Sequence, residues 1–542
     1  MNTGGTAWVL TAAALVLFMV PGLALFYGGM VSSRNVLVML QQNMFPLGLI
    51  TILWVLVGYS LAFGNDLGGG VVGNLDVFGL RHLSTSPAPN LHVVVPGVSI
   101  PTLAFVAYMM MFAIITPALV TGATADRLKF AGYAVFLGLW SLIVYAPIAH
   151  WLWSPQGWLT KRGAQDWAGG LVVHASAGAA VLALLLVIGR RRRWPDASTR
   201  PHSIPLVVLG AGILWFGWFG FNAADGLQAN GVAAQALLNT QVAAAAAMLV
   251  WLLIEHFTDG HATVLGGVTG AVAGLATITP CAGYVNSYSA ILIGALAGLL
   301  CHLALRLKVF LRLDDALDVI AVHFIGGVLG SFLLGFFGNH SINSIGANGL
   351  FFGGGVHLLG NQVLAIAAVV AYSFCLTWLI ATAVQRTIGL RVRSTDESNL
   401  DRVQEGMSAY ALDGVAGLSQ SAANLASPPM PPAPILNGDM RLVTALVDPE
   451  DPRELRDLLV RAGAASIVLS DASAYANDGR TESIRGNRRQ IEFTPMLRLD
   501  VLVDHAAVEQ VVDAIHSLPG ASKYAQVSQA RPMASAAPKA IT

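Results

Sequence analysis

Up to about residue 385 the chain is a series of long apolar runs separated by short polar loops. A helix needs roughly 20 apolar residues to cross a bilayer. Runs of about that length fall near 7–31, 39–64, 100–122, 130–153, 168–189, 204–222, 232–257, 263–279, 287–305, 318–337 and 357–385. They predict eleven spanning helices, and an odd number puts the termini on opposite sides. The first run has no basic stretch ahead of it and is far longer than a signal-peptide core, so it reads as a retained span.

Beyond residue 385 the pattern changes. Residues 386–426 are polar, and Ser427-Pro428-Pro429-Met430-Pro431-Pro432-Ala433-Pro434 is a semi-rigid polyproline spacer. A small globular pattern follows. Arg441–Val447 alternates as a strand, Pro452–Ala462 reads as a charged amphipathic helix with Pro452 in its first turn, and Ala465–Leu469 reads as a second strand. A polar loop is expected to about Glu492, then a strand over Met496–Val503 and a second amphipathic helix over Ala506–Leu518, with no final strand. The order βαββα resembles the ferredoxin-like split motif. The expected domains are a membrane part over 1–390, a polar and Pro-rich linker over 391–439, a regulatory α+β domain over 440–527 and a disordered tail over 528–542.

Composition sharpens this division. Of 542 residues 55% are hydrophobic and 11% charged, with mean hydropathy +0.64, where soluble domains average about 25% charged. Of the 30 Lys and Arg, 14 precede Gln385 and 16 follow it, so the last third is a different material. The net charge of +0 offers no basis for a nucleic-acid partner. Cys281, Cys301 and Cys375 have neither disulfide nor zinc spacing. Basic residues set the orientation. Arg34, Arg127, Lys129, Arg190, Arg191, Arg192, Arg193, Arg200, Arg306, Lys308 and Arg312 fall in loops on one side, against Arg81, Lys161 and Arg162 on the other. The N-terminus is therefore expected outside and the tail in the cytoplasm.

Two stretches of like form stand out: Asp166 to His174 and Asp318 to His323. Each ends in a histidine inside an apolar run, and each continues His-Xaa-Xaa-Xaa-Gly, to Gly178 and Gly327. A histidine at membrane depth is costly, so it should face a bundle interior and find a partner. Helices one to five and six to ten would run in opposite senses, with His174 on the fifth and His323 on the tenth. Inverted repeats of this kind place a shared site near the midplane. Two neutral imidazoles in hydrogen-bonding range would share one N–H and line an apolar tube with polar edges. That lining suits a small neutral molecule and gives a bare cation too few ligands. A satisfied core histidine is the plainer alternative. Near the outer ends of spans, Tyr108, Phe112, Trp153, Trp218 and Phe221 offer a cation–π mouth, hydrophobic plugs or an interfacial belt. Asp166 and Asp318 fit helix-end caps or anchors.

The membrane part resembles the ammonium transporter family (Amt/Mep/Rh) along nearly its whole length. The matching stretches are Pro21 to Gly29, Pro147-Ile148-Ala149-His150-Trp151-Leu152-Trp153, Asp166 to His174, Gly217-Trp218-Phe219-Gly220-Phe221-Asn222, and Asp314-Asp315 through Asp318 to His323. The resemblance implies a homotrimer with one pore per subunit. It implies an outer ammonium site at Tyr108 and Trp153 with Trp218 as a wall residue, a stacked gate of Phe112 and Phe221, and a twin-histidine pore of His174 and His323. Asp166 would order the vestibule, with Asn222 and Asp318 as further structural residues at the site. Where the family usually has a hydroxyl residue three positions after Asn222, this chain has Asp225, whose charge should hold a cation more tightly.

Residues 441–525 resemble a P-II nitrogen-regulatory domain. Gly479-Arg480-Thr481-Glu482-Ser483-Ile484-Arg485-Gly486 looks like that family's T-loop, and Ile491-Glu492-Phe493-Thr494-Pro495 matches further on. Thr481, Arg485, Gly486 and Arg489 are the candidate regulatory-loop residues. The sequence departs from the family at Arg489, where the modifiable tyrosine would stand, and at Met496 in place of a lysine. Its phosphate loop is reduced to Gly520-Ala521-Ser522-Lys523. No resident cofactor is expected. ADP, ATP or 2-oxoglutarate are the effectors the resemblance implies, and the shortened loop argues against nucleotide.

The sequence therefore points to an α-helical polytopic inner-membrane protein of eleven spans, in two inverted five-helix repeats plus one, with a C-terminal ferredoxin-like (P-II-like) domain. Its expected work is passage of ammonium or ammonia, with an ammonium sensor on the same fold as the alternative. No nucleophile–base pair or metal-ligand spacing suggests an enzyme.

Overall fold

The structure is a computed structural model describing residues 2–83, 99–192, 194, 201–410, 440–447, 452–475, 481–484, 487–490, 493–517 and 525–529. The chain divides into two compact units, Met1–Leu400 and Asp401–Thr542.

Among the described residues of the first unit, ten helices are long and apolar enough to cross a membrane. They are Thr3–Met30, Val36–Phe63, Thr102–Ala123, Phe130–Lys161, Gly170–Ile188, Ile204–Ala223, Gly231–Thr258, Ser287–Leu305, Ile320–Phe337 and His357–Thr387. The run expected over 263–279 is a shorter apolar helix, Val264–Ile278, of 15 residues. At 1.5 Å per residue it is about 22 Å long, against a hydrocarbon layer of about 30 Å.

Local sequence explains where several helices begin. Asn2, Asn230 and Thr263 each turn a side-chain oxygen back onto an amide of the first turn, at Gly5 (2.9 Å), Ala233 (3.1 Å) and Gly266 (2.9 Å). These caps satisfy amides that the helix itself leaves open. Small residues then let the backbones meet. A Cβ on Gly210 would lie 2.3 Å from the Phe26 nitrogen and 2.6 Å from the Gly22 carbonyl, so Ile204–Ala223 packs directly on Thr3–Met30.

The segment after the last long helix does not run free. Lys129 N–H donates to the Leu390 carbonyl (2.9 Å), and Val392 N–H donates to the Arg127 carbonyl (2.9 Å). Arg391 donates to the Ile188 carbonyl (2.6 Å) and pairs with Glu397, whose other oxygen accepts from Arg192 N–H (2.9 Å). Asn35 closes the seam, donating to the Glu397 carbonyl (2.8 Å) and accepting from Leu400 N–H (2.8 Å). Residues 388–400 are thus part of the first unit.

The second unit holds a four-stranded antiparallel sheet. Its strands are β1 (Met440–Val447), β2 (Ala464–Tyr475), β5 (Phe493–Asp504) and β6 (Ala525–Gln529), in the order β2-β5-β1-β6. Helices Pro452–Arg461 and Val508–His516 bring Leu455, Leu459, Val511 and Ile515 onto the inward residues Val443, Ala445, Val447, Leu499, Val501 and Val503. Two expectations are corrected. A final strand exists: β6 pairs with β1, Val527 opposite Val443. The loop expected before Glu492 contains a hairpin of β3 (Thr481–Ile484) and β4 (Asn487–Gln490), with Thr481 opposite Gln490 and Arg489 opposite Glu482. Arg485 and Gly486 lie outside the described residues, as do the polyproline spacer and residues 528–542 apart from Ser528 and Gln529.

Candidate functional site

The site is built around two helix starts. Ahead of Gly170–Ile188, both oxygens of Asp166 accept backbone amides: Gly169 (3.1 Å) and Gly170 (2.6 Å) on Oδ1, Leu171 (2.8 Å) and Val172 (2.9 Å) on Oδ2. Gly169 takes φ 106°, a left-handed conformation that costs glycine little. The turn that follows, Gly170–Ala175, is π-helical and carries His174.

The second start repeats this plan, and Asp315 is its cap. Asp315 accepts Val319 N–H (3.1 Å) on Oδ1 and Ile320 N–H (2.7 Å) on Oδ2, ahead of a π-helical turn, Ile320–Phe324, that carries His323. The cap precedes its histidine by eight residues in both cases. Asp318, expected as the counterpart of Asp166, instead occupies the position of Gly169, with φ 63°, and pairs with Lys308. The physical reason is one of direction. A residue in the left-handed link cannot also face the amides that follow it, so the carboxylate three residues earlier caps them. Burial is the main force on both caps and pushes each carboxyl up to about 6. The amides oppose it in each case, and Asp318 adds to it at Asp315.

The two histidines meet. Nδ1 of His323 lies 3.1 Å from Nδ1 of His174, with ring planes 16° apart, and both side chains are buried. One ring donates and the other accepts, so one N–H serves both. The helices cross on glycine. A Cβ on Gly178 would lie 2.3 Å from Cβ of Phe324, and one on Gly327 would lie 2.5 Å from the Gly170 carbonyl and 2.8 Å from Cβ of His174. Each helix therefore uses its glycine one turn past the histidine to admit the other helix's histidine turn.

Both rings line a narrow cavity of ≈ 20 Å³, room for a water-sized molecule, otherwise walled by apolar and aromatic side chains that include Phe26, Ile115, Leu214, Trp218 and Phe221. Trp218 stacks on His174 at 5.5 Å and donates to Thr279 Oγ1 (2.9 Å). Nε2 of His174 has no hydrogen-bond partner. Phe221 stacks on Phe112, with centroids 4.2 Å apart. Beyond that pair, Trp153 and Tyr108 meet Phe112 edge-on at 5.6 and 5.0 Å. Trp153 donates to the Asp166 carbonyl (3.0 Å), and the Tyr108 hydroxyl donates to the Phe221 carbonyl (2.9 Å). The Asn222 side-chain amide donates to Thr240 (3.0 Å), while the Asn222 backbone carbonyl accepts the Trp167 indole N–H (2.7 Å).

Asp225 follows Ile204–Ala223 and is partly buried, and its Oδ1 accepts no hydrogen bond. Burial first, then the charge of Asp166, pushes its carboxyl well above the usual range. Thr481 and Arg489 lie in the second unit, on the β3–β4 hairpin. Among the described residues no group of His, Cys, Asp or Glu could hold a metal.

Sequence reasoning missed the ion-pair cluster at the Asp315 end. Buried Arg127 lies 3.4 Å from Asp314, and Arg191 bridges Asp314 (2.7 Å) and Asp126 (3.2 Å). The adjacent carboxylates Asp314 and Asp315 were its only signal.

Two capped helices meeting at a histidine pair in an apolar cavity, under stacked aromatic rings, define a polytopic membrane protein with an intramembrane polar site. A family profile described as the Ammonium Transporter Family matches residues 7–410. The chain is 44% identical to an ammonium transporter of Mycobacterium bovis over 431 residues, covering 75% of this chain and 90% of the relative. It superposes on the crystal structure of Candida albicans Mep2 with a TM-score of 0.68 at 33% identity, covering 76% of this chain and 94% of that one. A solved structure titled Sensor Amt Protein matches with a TM-score of 0.66 at 29% identity, covering 73% and 96%. The chain belongs to the ammonium transporter family, whose members are transporters rather than enzymes.

Proposed function

We propose that the first unit conducts ammonium-derived ammonia through the cavity lined by His174 and His323. In this reading Val264–Ile278 completes eleven spans, arranged as two inverted five-helix repeats plus one. The N-terminus lies outside, so the end with Asp166 and Trp153 faces out and the end with Asp315 faces the cytoplasm of a bacterial-type inner membrane. Three copies assemble, each with its own pore. Ammonium is recruited outside by Trp153, Tyr108 and Asp225, with Trp218 on the wall below. It gives up its proton near Phe112 and Phe221 and crosses as ammonia, exchanging hydrogen bonds with the imidazole edges. A potassium ion has no proton to give up, and the apolar lining cannot replace its water.

The observation carrying this reading is the 3.1 Å contact of two buried imidazoles inside an otherwise apolar cavity. Its test is ammonium-pulse current or ammonia flux from the purified protein in liposomes. Transport by the parent and its loss in folded His174→Ala support the reading, and no flux from folded protein overturns it. Asp225 gives a second handle. Its raised carboxyl binds a cation only after losing its proton, so ammonium affinity should increase with pH. Asp225→Ser should weaken binding about tenfold, the effect of roughly 1.4 kcal/mol from one partly buried charge, and should remove that pH dependence.

The second unit is a ferredoxin-like, P-II-like regulatory domain in this proposal, supported by the strand order β2-β5-β1-β6, two helices on one face and the β3–β4 hairpin. A tethered domain of this kind acts at about millimolar local concentration. The full-length protein titrated with ADP, ATP or 2-oxoglutarate should show an effector-dependent change in flux. The similarity to the structure titled Sensor Amt Protein, together with the fused second unit, favours one other reading: a sensor that binds ammonium and passes occupancy to the tail. Ammonium binding without flux would select it.

A further inference from the structure

Outside the cavity, His150 is fully enclosed on the helix Ala146–Trp153, one turn before Trp153. Its Nδ1 lies 2.9 Å from the Ala62 carbonyl, and its Nε2 lies 3.4 Å from Oδ1 of Asp66. Both neighbours are acceptors. A neutral ring protonated at Nδ1 turns a lone pair toward the carboxylate, and the other tautomer turns one toward the carbonyl. Only the imidazolium presents an N–H to both, at hydrogen-bonding distance to the carbonyl and at the longer ion-pair distance to the carboxylate. Asp66 is fixed for this role, since both its oxygens accept Gly70 N–H (3.0 and 2.9 Å). Burial pushes the Asp66 carboxyl up, but the Gly70 and Gly68 amides and His150 outweigh it and hold it below the usual carboxylate range.

The same loop is tied to the helix end at further points. Trp151 Nε1 donates to the Val71 carbonyl (2.7 Å), Trp158 N–H donates to the Gly70 carbonyl (3.1 Å), and Asp66 N–H donates to Gln156. Burial is the largest force against the cationic form, and Lys161, at the end of Trp158–Lys161 and the other charge that reaches the ring, opposes it as well; the Ala62 carbonyl and Asp66 favour it. We propose that His150 is a buried imidazolium latched by Asp66, and that this pair makes residues 62–73 a pH-sensitive strap positioning the helix end that carries Trp153. When His150 loses its second proton, one lone-pair clash appears, the strap loosens and Trp153 is less well placed. The effect on transport rests on the vestibule reading above; the protonation state of His150 does not.

Two readouts keep these apart. Full-length protein with 15N-labelled histidine in lipid vesicles, examined by solid-state NMR at about pH 7, should show two protonated ring nitrogens for the residue whose signal disappears in His150→Gln. Asp66→Asn should convert that ring to one protonated nitrogen, and Asp66→Glu should restore the second. A neutral ring in the parent, or a doubly protonated ring persisting in Asp66→Asn, overturns the proposal. If Asp66→Asn does not fold, the parent's own signal decides. In flux the strap is read on an Asp225→Ser background, which removes the opposing pH dependence of that carboxyl: KM should increase about threefold on going alkaline, the scale of a partly exposed ion pair, with kcat little changed. With His150→Gln added to that background, KM should be high and flat. A KM on that background that stays flat while His150 visibly titrates overturns the strap as a positioning device. Absence of all flux would fail the transport reading and leave the NMR result standing.

Discussion

Asp166 and Asp315 cap equivalent helix starts in unlike surroundings. At the Asp166 end four backbone amides converge on one carboxylate, and the left-handed link is Gly169. At the Asp315 end only two amides do so, the link is Asp318, and charged side chains crowd around: Lys308 on Asp318, Arg127 and Arg191 on Asp314, and Arg391 on Glu397 nearby. The same π-helical turn is thus held by main-chain geometry on one side and by a side-chain network on the other. The first arrangement is insensitive to salt. The second can be modulated, because ion pairs respond to ionic strength and to anything that moves residues 388–400.

Four substitutions test this contrast. Asp166→Ala leaves four buried amides without an acceptor and should cost the most, about 3–5 kcal/mol, read as a lowered melting temperature in detergent with loss of flux. Gly327→Ala forces a methyl against the Gly170 carbonyl and should cost about 1–3 kcal/mol, with flux falling more than stability because His174 is displaced. Asp315→Asn, with two amides at stake, should cost about 1–2 kcal/mol, and its melting temperature should fall further with added salt. Asp318→Gly makes the second link like the first. It relieves the strained φ and loses the partly exposed Lys308 pair, so it should stay within about 1 kcal/mol of the parent. A large loss there would mean the Lys308 pair, and not backbone geometry, holds the turn. Because both caps are raised to about 6 from an unfolded value near about 4, the folded protein binds extra protons in that window. Stability should decline as pH rises through it, and removing either carboxyl should flatten the profile.

Much of this was legible in the sequence for one reason: polar groups inside apolar runs have few explanations. His174, His323 and Asp166 stood out that way, and the family resemblance implied that Phe112 and Phe221 stack. The pairing of caps was less legible because Asp314, Asp315 and Asp318 compete within five residues, and only the sign of a backbone dihedral separates link from cap. The strand Ala525–Gln529 was hidden by its polar edge composition, Ala-Gln-Val-Ser-Gln. The clasp between Asn35, Arg127, Arg191, Arg391 and Glu397 joins residues hundreds of positions apart, and no local pattern announces it.

The contact between Nδ1 of His174 and Nδ1 of His323 joins chemically identical atoms. Its single hydrogen has two equivalent homes, one on each ring, so the bond itself has no arrow. Any bias between entry and exit must be impressed by asymmetry around it, such as the indole of Trp218 stacked on His174.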